Sequence, residues 1–478
     1  MNLAMKTLAS VVAMSLLLSA LPAQAYYGLH SQEAELKFEG EADLALKEGV
    51  TLEELNSKGE TGNSAQAQIE FQLQHLMGAM QSEYFKKGLD FKYKGIIGTH
   101  KPIVFKTIGP GKGRGRKHVT YNYDGIAIFE KDLFHGDGGR LHQVPILLPL
   151  QADKIYKISN RSGGNYCMEK GEPDPNYFWY YWDLARVWGD SVKHACPLKE
   201  DFENGGVTVI KKVGTAKGLA NTEKTCPQYG KLYGKDTVKI SLFYGYVAWL
   251  HKHGKPNYTD ENYKNMQKFE EKVLEKEWGF AQDKTASHDN FRSGDFSKKG
   301  NNRYHVWKKK VTYQGREIQL IVYILLADTD LKSTDKTFHQ FIKPALEDSD
   351  LLAYDGHAGT GANLSLNSAL LGFPILKKNK YQVFFFNGCY TYPYFNKMYF
   401  DAKGGTANME LITSGQETGT DASVKNMRAF LEPFVNPRTR NGLDYQSILS
   451  RLEHTVPSAD KTYLYGVSGD EEKDKGCD

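Results

Sequence analysis

Residues 351–361, LLAYDGHAGTG, and residues 383–393, VFFFNGCYTYP, decide how this chain is read. A strand with one wet face alternates apolar and polar side chains, so a near-continuous apolar run marks a strand covered on both faces. Each run closes on a turn signal, Asp355-Gly356 in one and Asn387-Gly388 in the other. Each turn then presents a side chain able to do chemistry, His357 or Cys389. In an open parallel sheet, reactive groups gather just beyond the carboxyl ends of the strands. Adjacent strands lie about 4.8 Å apart, so neighbouring runs would deliver the imidazole and the thiol to one edge.

Working outward, residues 238–246 and 409–414 repeat the buried-strand pattern. Residues 260–278 place Tyr263, Met266, Phe269, Val273 and Leu274 on one helical face, with Thr259 or Asp260 as N-cap. A hairpin is expected over 304–313 and 317–327, and helices over 334–346, 363–371 and 421–434, with another opening near Pro393. The expected architecture of residues 237–468 is therefore a doubly wound, mostly parallel α/β sheet.

Residues 26–236 have another rhythm. Residues 101–108 and 118–129 flank the basic loop GPGKGRG at 109–115, which predicts a hairpin. A phosphate cradle needs a helix directly after its glycines, and here a β-branched, aromatic strand follows. Residues 66–82 predict a helix with Ile69, Leu73, Leu76 and Met80 on one face. Residues 177–188, YFWYYWDLARVW, read as a packed core segment. The expected organisation is a β-rich domain over 26–236, the α/β domain over 237–468 and a charged tail over 469–478.

The N-terminus reads as an export leader. Lys6 precedes an apolar run over 8–21, followed by Pro22 and the small-residue pattern Ala23-Gln24-Ala25, which predicts cleavage after Ala25. The run is short for a membrane span of about 20 residues. The mature chain is expected to be soluble and exported, periplasmic or secreted. Its length of 478 residues favours two domains, and 40% hydrophobic residues exclude intrinsic disorder. A net charge of +4 argues against nucleic acid as a partner.

Export permits disulfides, and the chain has five cysteines. Cys167, Cys196 and Cys226 fall in loops, and one bridge is expected among them. His194 with these three lacks the ligand spacing of a zinc knuckle. His135, Asp137 and His142, or His251 and His253, lack a third ligand at defined spacing. No metal or cofactor is expected.

A thiol with its ordinary pKa near 8.5 is mostly protonated at neutral pH, so a catalytic one needs an imidazole or a helix N-terminus beside it. His357 and the helix near Pro393 supply both. Backbone N–H groups near Gly359 and Cys389 are placed to hold an oxyanion. Asp355 is a candidate to orient the imidazole.

The strand-His turn followed by the strand-Gly-Cys turn resembles the caspase, gingipain, legumain and separase superfamily of cysteine peptidases. The resemblance spans residues 237–468. It implies His357 as acid/base, Cys389 as nucleophile, and an oxyanion site built around Ala358, Gly359 and Gly388. It implies Ser414, Glu417 and Asp421 around the substrate pocket, and a peptide or protein substrate. His357 is followed by Ala358, where the superfamily has glycine, which moves the oxyanion donor. The alternative is a catalytically silent relative that binds in the envelope or outside the cell.

Overall fold

The computed structural model describes residues 26–81, 91, 93–134, 140–154, 207–219, 225–247, 258–330, 333–358, 363–366, 376–416, 418–435, 442–455, 463–470 and 477. Among the described residues, sixteen strands form one sheet. In chain order they are β1 (Tyr26–Tyr27), β2 (Ser31–Ala45), β3 (Gly95–His100), β4 (Val104–Pro110), β5 (Arg116–Glu130), β6 (Leu141–Pro149), β7 (Val209–Gly218) and β8 (Thr237–Gly245). They continue as β9 (Ala281–Gln282), β10 (His288–Arg292), β11 (Asp295–Tyr313), β12 (Arg316–Ala327), β13 (Leu351–Asp355), β14 (Gln382–Asn387), β15 (Met409–Ser414) and β16 (Tyr465–Ser468). The helices are α1 (Leu52–Leu55), α2 (Glu60–Gln81), α3 (Tyr229–Tyr233), α4 (Glu261–Lys268), α5 (Thr337–Asp348), α6 (Thr391–Lys403), α7 (Ser423–Val435) and α8 (Tyr445–Glu453).

The sheet runs β10-β11-β12-β8-β13-β14-β15-β16-β1-β2-β5-β3. The pairs β12–β8, β8–β13, β13–β14 and β14–β15 are parallel, and the other described pairs are antiparallel. This corrects the expected doubly wound, mostly parallel fold. The parallel strands are one stretch of a single mixed, mostly antiparallel sheet. What joins the halves is β1, two residues long, paired with β16 on one side and with β2 on the other. Neither a two-residue strand nor β16, YGVS, is long enough to carry a periodic signal.

Why the parallel stretch is legible is plain from its burial. Every residue of β13, β14 and β15 is buried. Leu351, Ala353, Val383 and Phe385 pack with Tyr263, Phe269, Phe430 and Ile448 on the face covered by α4, α7 and α8. Leu352, Tyr354, Phe384 and Phe386 pack with Phe338, Ile342, Phe395 and Tyr399 on the face covered by α5 and α6. The remaining half is built on the antiparallel pair β2–β5, matched from Ser31↔Glu130 to Ala45↔Arg116. Its turn at the basic glycine loop uses Gly113 (φ +117°) and Gly115 (φ +69°). Ile69 and Leu73 of α2 sit in its core, and Tyr121 donates through its hydroxyl to Gln72 Oε1 at 2.8 Å.

Two elements depart from expectation locally. The helix after Asp260 changes to π geometry over Phe269–Glu277. The polar stretch before residue 300 holds β10 and the start of β11, joined by an ion pair between Arg303 Nε and Asp289. Among the described residues no helix is long and apolar enough to cross a membrane.

Candidate functional site

The ladder β13–β14 is in register from Leu351↔Val383 to Asp355↔Asn387, so the two strands end level with each other. Gly356 N carries the pairing one step further, donating to Asn387 O at 3.3 Å. His357 and Cys389 each come two residues after the last paired position. The turns themselves touch. A Cβ on Gly388 would stand 2.9 Å from Gly356 O and 3.7 Å from Ala358 Cβ. Glycine at 388 is therefore what lets the Cys389 turn close onto the His357 turn. Gly356 plays the same part toward β8, where a Cβ would stand 3.1 Å from Gly245 Cα.

His357 is exposed, and its Nε2 lies 3.1 Å from Val247 O beyond the end of β8. A carbonyl can only accept, so Nε2 carries the proton in the neutral ring and Nδ1 is the basic nitrogen. The backbone here is held firmly. His357 O accepts from the Tyr354 hydroxyl at 2.5 Å and from Asn363 Nδ2 at 2.7 Å. Ala358 is fully buried behind the imidazole's residue.

Asp355 is buried and accepts from Asn387 Nδ2 at 3.0 Å and from Asn262 Nδ2 at 3.4 Å. Burial pushes its carboxyl up to about 6, against the lowering effect of hydrogen bonds from Ser423, Asn387 and Asn262. It ties the His357 strand to the Cys389 strand through Asn387. The other side of Asn387 is also engaged, its Oδ1 accepting from the Tyr465 hydroxyl at 2.5 Å. Asn262 reaches Gly245 O at 2.8 Å. The network thus fixes the ends of β8, β13 and β14 against α4 and β16.

Cys389 stands outside any disulfide among the described residues and is 8% exposed. Its Sγ lies 3.9 Å from Thr418 O, beyond the end of β15. Tyr390 follows in a left-handed conformation (φ +53°, ψ +37°), which is costly for a residue with a side chain and recurs at functional turns. α6 opens at the next residue, and Tyr390 provides it no side-chain cap. The N-terminal end of α6, the positive end of its dipole, lies two residues after Cys389. Thr391 Oγ1 donates to Phe386 O at 2.9 Å and accepts from Ser414 N at 2.8 Å. Ser414 is buried and donates its hydroxyl to Gly388 O, so it braces the Cys389 turn from below.

Asp421 is exposed, on a short 3-10 turn over Thr420–Ala422. That loop is anchored by Asn265 Nδ2 to Thr420 O at 2.8 Å and by Gly419 N to the Tyr463 hydroxyl at 3.2 Å. It is the loop whose Thr418 reaches Cys389, so a carboxylate stands on the segment flanking the thiol. Gly359 and Glu417 lie outside the described residues. So do Cys167, His194, Cys196, His135, Asp137, His251, His253 and residues 177–188.

The expected bridge among Cys167, Cys196 and Cys226 does not take Cys226, and the other two lie outside the described residues. Cys226 pairs with Cys477, 251 residues away, with Cα atoms 5.3 Å apart. The described parts of the tail are tied down, since Asp470 is buried and accepts from Thr225 Oγ1. Loop position suggested a local partner for Cys226, but the fold, not spacing, brings the distant thiol to it. Asn262, Asn426 and Tyr465 also escaped sequence reading, because the sheet order alone makes them neighbours of Asp355 and Asn387.

A second polar centre lies elsewhere. A cavity of about 530 Å³ is lined by Glu270, Glu271, Arg303, His305, Phe280 and Trp307 among others. Its His305 is held between Glu270 Oε1 at 2.7 Å and Asp289 Oδ1 at 3.2 Å. Burial disfavours charge on this ring, but hydrogen bonds to Asp289 and Glu270 outweigh it and raise the pKa to about 9. Both ring nitrogens are engaged, which makes this a structural ion pair. No group of three or more His, Cys, Asp or Glu side chains suited to a metal is found among the described residues. The chain matches no protein-family profile and no curated protein sequence.

Proposed function

We propose that the chain is a thiol hydrolase that cleaves a peptide or related amide, with Cys389 as nucleophile and His357 as acid/base. The observation that carries this reading is the contact between the two turns at Gly388, one of which bears Cys389, outside any disulfide among the described residues, and the other the exposed His357. His357 Nδ1 takes the thiol proton, and Sγ attacks the substrate carbonyl carbon. Backbone N–H groups at Ala358, Gly359 or Cys389 hold the oxyanion, Gly388 giving it room. The imidazolium returns the proton to the departing amine, leaving a thioester. Water, deprotonated by the same nitrogen, then frees the acid and restores the thiol. Asp421 and Glu417 favour a basic side chain before the cut.

The proposed resemblance to the caspase and gingipain superfamily rests on these two motifs and not on the surrounding sheet. Removal of residues 1–25 and action outside the cytoplasm belong to the same proposal. The Cys226–Cys477 bridge supports it, since such a bond persists in oxidising compartments.

A silent binding protein is the competing reading. It is favoured by the directions of the two contacts, His357 toward the end of β8 and Cys389 toward the end of β15. Alkylation by iodoacetamide separates the two. An activated Cys389 reacts well below about pH 8 and loses that sensitivity in His357→Ala. Reaction only above that range, unchanged by His357→Ala, would leave the silent reading standing.

A further inference from the structure

The segment after Cys389 packs into the core of the antiparallel half, where Tyr390 and Tyr392 join Tyr26, Leu36 and Ile96. Tyr392 is the second residue of α6, and its hydroxyl donates to Glu33 Oε1 at 2.5 Å. The other oxygen of this buried carboxylate, Oε2, lies 3.3 Å from Tyr26 N. The rings of Tyr26 and Tyr392 meet edge to face at 4.8 Å. Tyr26 is 1% exposed, and its hydroxyl donates to Leu464 O. One carboxylate thus connects the third residue after the thiol with the first residue after the expected leader cleavage.

We propose that Glu33 is a positioning residue for Cys389 that takes the α-ammonium group of Tyr26 once the leader is removed. The inference rests on the thiol-hydrolase reading and on cleavage after Ala25. A leader-removing peptidase adds water across the Ala25–Tyr26 bond, leaving a carboxylate on Ala25 and a protonated amine on Tyr26. The amide N–H that faced Glu33 becomes an ammonium with three donors and a positive charge. A buried carboxylate held by a cation is far more favourable than one held by neutral donors, so the pair tightens. Tyr392, bonded to the same carboxylate and packed edge to face on the same residue, is fixed with it, and the Cys389 turn becomes rigid. An extended N-terminus also has to thread out of a site where Tyr26 is enclosed. Processing then completes the site as well as releasing the protein.

The test compares chains beginning at Tyr26 and at Gln24, each with wild-type Glu33 and with Glu33→Gln. The substituted amide keeps an acceptor for Tyr392 but no charge. Two readouts are followed, the rate of Cys389 alkylation by iodoacetamide and the thermal midpoint. With Glu33 present, the extension slows alkylation by about tenfold, within the range of ordinary coupling between linked sites, and lowers the midpoint. In Glu33→Gln the extension changes neither by more than a small amount. In Tyr392→Phe the midpoint still responds to the extension, while alkylation no longer does. Equal effects of the extension in both Glu33 backgrounds, with Cys389 reactive, would overturn the pairing. Cys389 unreactive in every form would sink the thiol reading and the positioning role together. A midpoint shift confined to wild-type Glu33 would establish the ion pair even then. An exported chain whose first residue is not Tyr26 overturns the inference at its start.

Discussion

The parallel stretch and the antiparallel half use the same backbone geometry to different ends. In β13, β14 and β15 every residue is buried, so the strands have no free face. In the antiparallel half, β4 and β7 leave Val104 and Val213 more than half exposed, and the alternation of β2 with β5 spreads polar groups along the strands. Covering both faces of a sheet concentrates function at one edge, whereas covering one face does not.

This contrast can be broken or sharpened by substitution. The largest expected effect is Cys389→Ala, which should abolish iodoacetamide labelling at this position and reduce hydrolysis by at least about a thousandfold. Retained hydrolysis would move the chemistry elsewhere. Next comes a matched pair of glycines. Gly388→Ala forces a Cβ to 2.9 Å from Gly356 O, and small misplacements of reacting groups cost about a hundredfold, to be read in kcat/KM or alkylation rate. Gly109→Ala in the antiparallel half meets nothing within 4 Å and should leave both rates unchanged. If the two substitutions behave alike, contact between the turns is not what assembles the site.

Third, Asn387→Leu leaves Asp355 and Tyr465 without their shared partner and should cost about 2 kcal/mol in denaturant unfolding, because buried groups lose their hydrogen bonds. A fourth, smaller effect concerns His305, outside the strand ends. Its pKa is raised from 6.5 to about 9, so its pairing with Asp289 and Glu270 contributes stability fully below about 6.5. That contribution is lost as pH rises through about 9. The midpoint difference between wild type and His305→Gln should therefore shrink between about pH 6 and about pH 10, and a constant difference would refute the charged pair.

How much of this was legible in the sequence follows from the same contrast. The strands ending at Asp355, Asn387 and Ser414 are read directly, because burial on both faces leaves an unbroken apolar run. The helix at 260–278 shows its face through Tyr263, Met266 and Phe269. The level ends of β13 and β14 come from their register, Asp355 opposite Asn387, while His357 and Cys389 stand out in the sequence because each follows the turn that closes an apolar run. What stayed hidden depends on order in space. Tyr26 and Tyr27 give no hint that they bridge β16 and β2, and Cys226 gives none that its partner is Cys477. Asp355 reads as a group beside the imidazole two residues on, yet its side chain turns inward to Asn387. The tie between the strand ends is made by Asn262, Asn387 and Tyr465, three residues whose separation in the chain conceals their meeting.

The place of β1 against β16 has a consequence for biosynthesis. The seam of the sheet closes only when the segment around Tyr465 has left the ribosome, so a partly made chain carries two raw edges, β15 and β1, each a template for stray pairing. A product truncated before Tyr465 should collect in aggregates rather than survive as a half-size fragment.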